Sequence, residues 1–138
     1  MNEHSYIRAI HKQLKKQTSA VDIWKINDNY AGGVPDTVYF GSKSVLWIEY
    51  KYIKQLPKRS TTVIDLTKPQ QYLSLLQQQW LEEKHLKNIR TTVIVGSPEG
   101  SVIFPELTWK TPITVKSFTT NAIDTCKIAT YIIRQVLI

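Results

Sequence analysis

The chain of 138 residues is 42% hydrophobic and holds one cysteine, so it has enough apolar material for a single domain over residues 1–138 and cannot form an intramolecular disulfide. Its 18 Lys and Arg residues outnumber its 11 Asp and Glu residues, and the net charge of +7 favours a polyanionic partner, because bound cations release counterions from phosphates. The sequence has no apolar run of about 18 residues to span a membrane, no signal peptide in its polar start, and no zinc-site spacing among Cys126 and the three histidines. We therefore expect an intracellular protein of the cytoplasm with no membrane partner.

A helix is predicted at the beginning of the chain. Glu3, Ile7, Ile10 and Leu14 recur at helical spacing and are expected to face the core. The cations of this segment lie largely on other faces: Arg8, Lys12, Lys15 and Lys16. Glu3 has two interpretations, either a first-turn charge that favours the helix dipole or a carboxylate directed at a site formed by later residues.

Residues 17–34 predict a loop, a strand over residues 21–26 and a glycine-containing turn. Lys25 in that strand points either to solvent or to a phosphate of the partner. The turn over residues 27–33 ends in Gly32 and Gly33, which permit positive φ or a close approach of a ligand backbone. It is either an ordinary tight turn or one that leaves room for a substrate beside Asp36.

The next two strands bring charges of both signs together. A strand over residues 37–40, a turn over residues 41–44 and an apolar strand form a predicted hairpin that can bring Asp36 near Glu49 and Lys51. Because side chains alternate along a strand, Glu49 and Lys51 share one face and Tyr50 takes the other. A solvated ion pair at a strand end is the alternative, since a second Glu-x-Lys triplet occurs at residues 82–84 in a helical segment.

This arrangement suits hydrolysis of a phosphodiester bond with the help of a metal ion. Asp36, Glu49 and the backbone carbonyl of Tyr50 are hard oxygen ligands that would hold Mg²⁺ or Mn²⁺. Lys51 would orient the attacking water or offset the negative charge of the transition state.

A basic loop follows the charged strand. Pro57 excludes a helix here, and Lys54, Lys58 and Arg59 either contact phosphates or belong to a solvated loop.

The second helix has two possible starts. Thr67 with Gln70 and Ser74 with Gln77 both match a capping box, and both can be used if a short helix precedes a longer one. Gln77 either caps Ser74 or orients water or phosphate at the site, and Gln70 competes for the second role. Four apolar residues are expected on the buried side of this segment: Leu73, Leu76, Trp80 and Leu81.

The remainder of the chain predicts strands over residues 91–96 and 101–104 joined by a turn, an irregular connector over residues 105–118 and a helix over residues 120–138. Together these elements predict an α/β domain with a mixed sheet flanked by helices. The last helix either covers the sheet or forms a dimer contact, and Cys126 within it is expected to be buried.

The runs GGVPD and WIEYK resemble the PD-(D/E)XK nuclease superfamily, and most of all its VRR-NUC branch and related small phage nucleases. The resemblance covers about residues 1–105 and implies a restriction-endonuclease-like fold. It also implies that Glu3 is the first-helix glutamate of the acidic cluster and an additional metal ligand, and that Gln77 is the glutamine that precedes Trp-Leu.

The function that this resemblance implies is a Mg²⁺-dependent DNA endonuclease, associated with branched or Holliday junction DNA. A homodimer is expected because the chain is small for an enzyme that holds a polymer and because a four-way junction needs two symmetric nicks. DNA contacts are then expected at six residues: Lys25, Gly32, Gly33, Lys54, Lys58 and Arg59. A phage origin would place the protein in the host cell cytoplasm. The alternative is a catalytically idle DNA-binding or replication accessory module with the same fold, which a test of metal dependence would distinguish.

Overall fold

A computed structural model describes residues 1–26 and 32–138. The predicted turn residues 27–31 lie outside the described part of the chain. The helices are α1 (Glu3–Gln17), α2 (Leu75–Leu86), α3 (Val115–Asn121) and α4 (Thr125–Val136), with a 3-10 helix at Thr108–Lys110. The strands are β1 (Asp22–Lys25), β2 (Thr37–Phe40), β3 (Val45–Tyr52), β4 (Val63–Ile64), β5 (Thr91–Ser97), β6 (Gly100–Pro105) and β7 (Ile113–Thr114).

Five strands form one mixed sheet in the order β1-β2-β3-β5-β6. β3 and β5 are parallel, whereas the β1–β2, β2–β3 and β5–β6 pairs are antiparallel. The strands β4 and β7 pair separately as a small antiparallel sheet. β3 is therefore the central strand, and both of its edges are hydrogen-bonded.

Helices cover both faces of the large sheet. On one face, α1 and α4 bury an apolar cluster that includes Ile10, Ile48 and Ile132. On the other face, Leu81 of α2 and Phe118 of α3 pack in a second cluster with residues of β5 and β6. These layers confirm the predicted α/β class with a mixed sheet flanked by helices.

The first helix matches its prediction closely. Asn2 and Ser5 form a reciprocal capping box, so Glu3 is the first helical residue. The stripe at Ile7, Ile10 and Leu14 is buried, and Tyr6 and His11 are buried beside it. The sequence did not predict the role of Tyr6. Its ring packs closely against Gly96, and a β-carbon at residue 96 would lie only 2.4 Å from this ring.

The second helix uses only the later of its two predicted starts. Ser74 and Gln77 form the capping box of α2, whereas the predicted short helix at residues 67–73 is wrong and this segment forms turns. The side chain of Asp65 accepts hydrogen bonds from the backbone and hydroxyl of Thr67, which favours a turn over a helix there. The predicted burial of Leu76 is also wrong, because its side chain is 56% exposed.

The connector over residues 105–118 has more structure than predicted. It contains the 3-10 helix around the fully buried Trp109, the strand β7 and the start of α3. Thr114 caps α3, and burial of Val115 and Phe118 stabilises this short helix despite its β-branched residues. Tertiary packing overrides weak local propensity here.

The last helix begins at Thr125 instead of residue 120, because Asp124 caps it and residues 120–121 belong to α3. Ile128, Ala129, Ile132 and Val136 are fully buried, so the apolar face of α4 covers the sheet. The predicted burial of Cys126 is wrong, because Cys126 is exposed and lies on a different face of α4. In the described residues no helix combines the length and apolar character needed to cross a membrane.

Candidate active site

The charged pair predicted from the sequence lies at the end of the central strand. Leu46 and Tyr50 point into the cluster beneath α1 and α4, and the alternation of β3 directs Glu49 and Lys51 to the opposite face. Glu49 is only 3% exposed, and Val93 of β5 pairs with it on one side. The Nζ atom of Lys51 lies 3.6 Å from Oε2 of Glu49. A solvated ion pair therefore does not describe this site.

The second Glu-x-Lys triplet has a different environment. On α2, Glu82 is 44% exposed and pairs with Lys110 at 3.0 Å. Its neighbour Glu83 is 57% exposed and pairs with Lys84 and Lys87 at 3.2 and 3.1 Å. Such pairs on a helix surface contribute little and are common. Burial thus distinguishes Glu49 from the carboxylates of the second triplet.

Asp36 reaches Glu49 through the register of the hairpin. Thr37 pairs with Ile48, so Asp36, one residue before β2, falls opposite Glu49 and on the same face. The carbonyl of Asp36 accepts a hydrogen bond from the backbone of Ile26 at 2.7 Å, which fixes the start of β2 against the end of β1. The half-buried Asp36 side chain is thereby held at the end of the strand pair.

The charges of this group are strongly coupled. Burial raises the pKa of Glu49 well above its usual range, and the nearby carboxylate of Asp36 raises it further, while Lys51 lowers it. Burial and then Asp36 also raise the pKa of Glu3, and Lys51 and His4 lower it. The structure therefore brings Glu3, Asp36, Glu49 and Lys51 into one electrostatic group.

The Oε1 atom of Glu49 is buried and has no hydrogen-bond partner among the described residues. An unpaired buried carboxylate oxygen is costly, and a second carboxylate beside it increases the cost. A hard divalent cation would relieve both, so Asp36 and Glu49 fit such an ion. Across residues 1–26 and 32–138, no group of three or more His, Cys, Asp and Glu side chains is arranged to hold a metal ion.

Two depressions border this group. Glu3 and Lys51 line a cleft of about 430 Å³ together with Gln71 and Tyr72. Asp36 lines a separate pocket of about 270 Å³ with His4, Arg8 and Lys25. Sequence reasoning missed Gln71, Tyr72, His4 and Arg8 as members of the site. Only the position of His4 next to Glu3 could have pointed to one of them.

The predicted glutamine and glycine residues have structural roles here. The Oε1 atom of Gln77 accepts the N–H of Ser74 at 2.9 Å, and Gln70 is exposed. Gly33 has φ of +90°, and a β-carbon there would lie 2.3 Å from the carbonyl oxygen of Leu76. The space at Gly33 is thus filled by the start of α2, and the leucine side chain similarly covers Gly32.

The predicted basic residues are spread over the surface. Lys25 is exposed at the end of β1 and lines the pocket of Asp36. Lys58 and Arg59 are exposed in the loop after β3. Lys54 lines a different depression beside Pro98 and Glu99, so the structure does not place it with Lys51.

A buried hydrogen-bonded chain supports the central strand from below. The Tyr50 hydroxyl lies 2.6 Å from that of Tyr39, which lies 2.8 Å from Nε2 of His11. Burial, and to a smaller extent the charges of Lys25 and Lys15, lower the pKa of His11 to about 4. His11 is therefore neutral at physiological pH. The hydrogen bonds among His11, Tyr39 and Tyr50 join α1 to β2 and β3 beneath the site.

Comparison with known proteins identifies the fold. No family model matches the chain, and no curated protein matches it. The 1.6 Å structure of Hjc, a Holliday junction resolvase from the archaeal hyperthermophile Archaeoglobus fulgidus, is similar with a TM-score of 0.54 and 18% identity. The match covers 91% of this chain and 98% of that chain, so it extends past residue 105. The chain therefore has the restriction-endonuclease-like fold seen in Hjc, with a mixed five-stranded sheet flanked by helices.

Proposed function

We propose that this protein is a divalent-metal-dependent DNA endonuclease that hydrolyses phosphodiester bonds. The observation that supports this most is the buried carboxylate of Glu49, which lies beside Asp36 and Lys51 at the end of the central strand. Buried and strongly perturbed ionisable groups cluster at functional sites. Hjc, which has the same fold, is described as a Holliday junction resolvase.

Asp36, Glu49 and the carbonyl of Tyr50 would hold Mg²⁺ or Mn²⁺. Glu3 would become an additional ligand only by moving closer, since the three carboxylates are not arranged as a metal site among the described residues. The unpaired Oε1 of Glu49 fits this assignment, because a buried oxygen without a hydrogen bond favours a cation. When bound, the ion would polarise the phosphodiester and make a water molecule more acidic.

The other groups of the site act through position and charge. Lys51, close to Glu49, orients the attacking water and offsets the negative charge that develops on the phosphate. Gln77 could contact substrate only by leaving the cap of α2. Gln71 lines the cleft of Glu3 and Lys51, so we assign the role of orienting water or phosphate to Gln71 ahead of Gln77.

Branched or four-way DNA is the proposed substrate class. Resolution of a four-way junction needs two symmetric nicks, which a C₂ homodimer supplies by presenting one site twice. Six residues are proposed as DNA contacts, although they do not form one cluster. They are Lys25 beside Asp36, the backbone of Gly32 and Gly33, Lys58 and Arg59 in the loop after β3, and Lys54, which lies apart from Lys51. Membership of the VRR-NUC or phage branch remains a prediction from the GGVPD and WIEYK motifs.

The test is incubation of the protein with linear, flapped and four-way DNA in Mg²⁺, Mn²⁺, Ca²⁺ or EDTA. We expect cleavage in Mg²⁺ and Mn²⁺, none in EDTA, and none by the Asp36→Ala variant. Cleavage by Asp36→Ala in EDTA would contradict the assignment. Binding without cleavage in every metal would favour the idle accessory module.

A further inference from the structure

The second half of α1, the strand β1 and the segment between them enclose a groove of about 980 Å³. Five cations and a single carboxylate, Asp22, line it. The cations are Arg8, Lys12, Lys15, Lys16 and Lys25, and all five are exposed. Within the part of the chain that the structure describes, none of the five forms an ion pair. The groove is thus a concentration of uncompensated positive charge.

The cations of α1 follow one side of the helix. Residues 8, 12, 15 and 16 fall on one face of an α-helix and span about 12 Å at about 1.5 Å per residue. Lys25 adds a charge from the opposite wall of the groove, on β1. Duplex DNA carries one negative charge per roughly 1.7 Å of its axis, so a row of this length faces several phosphates.

Helix stability alone does not account for this pattern. Lys15 and Lys16 lie in the last turn of α1, where cations favour the helix dipole. Arg8 and Lys12 lie earlier in the helix, and Lys25 belongs to another element. The helix dipole therefore accounts for at most two of the five cations.

His11, on α1, lies in the groove near cations of both α1 and β1. His11 lines the groove and is 7% exposed, and both Lys25 and Lys15 disfavour its protonated form. Positive charges from β1 and α1 therefore face the same part of the groove. A polyanion bound across the groove would interact with cations of both walls.

The groove also leads towards the candidate active site. Arg8 and Lys25 line both the groove and the smaller pocket that contains Asp36. We infer that the groove between α1 and β1 binds the phosphate backbone of a duplex DNA arm that extends from the cleaved position. The direction of the arm rests on the proposed nuclease function, whereas the binding of duplex DNA does not.

Two triple variants with equal net charge test the inference. The groove variant combines Lys12→Gln, Lys15→Gln and Lys16→Gln, and the control variant combines Lys87→Gln, Lys110→Gln and Arg134→Gln. Each removes three positive charges from a net +7 and leaves +4. The control positions are exposed and lie outside the groove. The dissociation constant for a 30-base-pair duplex is measured in EDTA and in Ca²⁺ over a range of salt concentrations.

We expect the groove variant to bind about ten- to a hundredfold more weakly at low salt, and its log–log salt slope to fall by about 2–3. The control variant should lose much less. The double variant Arg8→Gln with Lys12→Gln leaves the last turn of α1 intact and should weaken binding in the same way. Equal affinities of the groove and control variants would overturn the inference.

Two further outcomes separate this inference from the proposed function. If the unmodified protein binds duplex DNA through the groove but cleaves no DNA in Mg²⁺, the groove assignment stands and the nuclease assignment fails. If the unmodified protein cleaves DNA while the two triple variants bind with equal affinity, the nuclease assignment stands and the groove assignment fails. Failure of the unmodified protein to bind duplex DNA in both EDTA and Ca²⁺ would also overturn the groove assignment.

Discussion

Glu49 combines three conditions that a carboxylate does not usually meet together. It is buried, it has a second carboxylate as its neighbour, and one of its oxygens lacks a hydrogen bond among the described residues. Lys51 offsets part of this cost but lies 3.6 Å away. The residue therefore holds unfavourable electrostatic energy in the metal-free protein, which makes it a sensitive probe of the site.

The first prediction concerns the stability of the Glu49→Gln variant without metal. Folding raises the pKa of Glu49, so the protonated form of Glu49 favours the folded state. This contribution to stability is fully present below about pH 4.5. It is lost as the pH rises through the folded-state pKa of Glu49. Glutamine at position 49 does not titrate and carries no charge to bury. The variant should therefore be more stable than the parent by about 1–3 kcal/mol at neutral pH. Thermal unfolding in EDTA at pH 4 and pH 7.5 measures the difference, which should shrink at the lower pH.

The control for this prediction is Glu83→Gln, since Glu83 is exposed on α2 and its removal should change stability little. Added Mg²⁺ or Mn²⁺ should stabilise the parent and leave Glu49→Gln unchanged. A lower melting temperature of Glu49→Gln at pH 7.5 in EDTA would show that the buried carboxylate is better satisfied than proposed.

The second prediction separates chemistry from binding. Lys51→Ala removes the cation beside Glu49 and leaves both proposed metal ligands, so turnover at saturating DNA should fall by about 10²–10³. Changing Lys58 and Arg59 together to Gln should instead weaken DNA binding and reduce its salt dependence. Single-turnover cleavage and salt-dependent binding assays measure the two effects. Normal saturated cleavage by Lys51→Ala would exclude its catalytic role.

Among the elements, α2 shows how backbone packing shapes the surroundings of the site. Its first turn lies directly against Gly32 and Gly33, four residues or fewer before Asp36. Gly33 has a φ that other residues adopt only with strain, and no β-carbon fits beside Leu76. The glycine pair thus brings the start of α2 close to the strand that carries Asp36.

The third prediction follows from this contact. Gly33→Ala should destabilise the fold by about 2–4 kcal/mol, because positive φ and overpacking both oppose the added methyl group. Ser74→Ala removes the cap of the same helix and should cost only about 1 kcal/mol. Urea unfolding of both variants compares the two costs. If Gly33→Ala were no worse than Ser74→Ala, the close approach of α2 would be incorrect.

At the level of the whole molecule, the positions of the proposed surfaces limit how two copies can associate. The apolar face of α4 is buried against the sheet, and Ile133 and Leu137 also pack against that core. A charged substitution at Ile133 would therefore damage the fold and could not report on a dimer alone. In the proposed homodimer, the contact surface would leave the cleft of Glu3 and the groove between α1 and β1 open to DNA.

The fourth prediction concerns assembly. Sedimentation velocity at micromolar concentration should give twice the monomer mass, with and without a four-way DNA junction, because paired nicking requires two symmetric sites. Asp36→Ala should sediment in the same way, since it changes the site and not the contact. A monomer under both conditions would remove the dimer and leave single nicking as the activity to test.

The sequence by itself determined the features that depend on local pattern. Alternation along β3 placed Glu49 and Lys51 on one face, helical spacing identified the buried stripe of α1, and the hairpin turn set Asp36 opposite Glu49. These features depend on the chemistry of neighbouring residues and on backbone periodicity, which are visible in the chain itself.

Only the tertiary structure decided which of these residues share an environment. Burial of Glu49 depends on β5, more than forty residues later in the chain, and the cleft of Gln71 depends on the turns that replace a predicted helix. The strand β7 and helix α3 were missed because burial stabilises them where local propensity is weak. Lys25 joins the cations of α1 in one groove because the two elements lie side by side in space. Each of these outcomes depends on contacts between distant segments, whose energies no local pattern encodes.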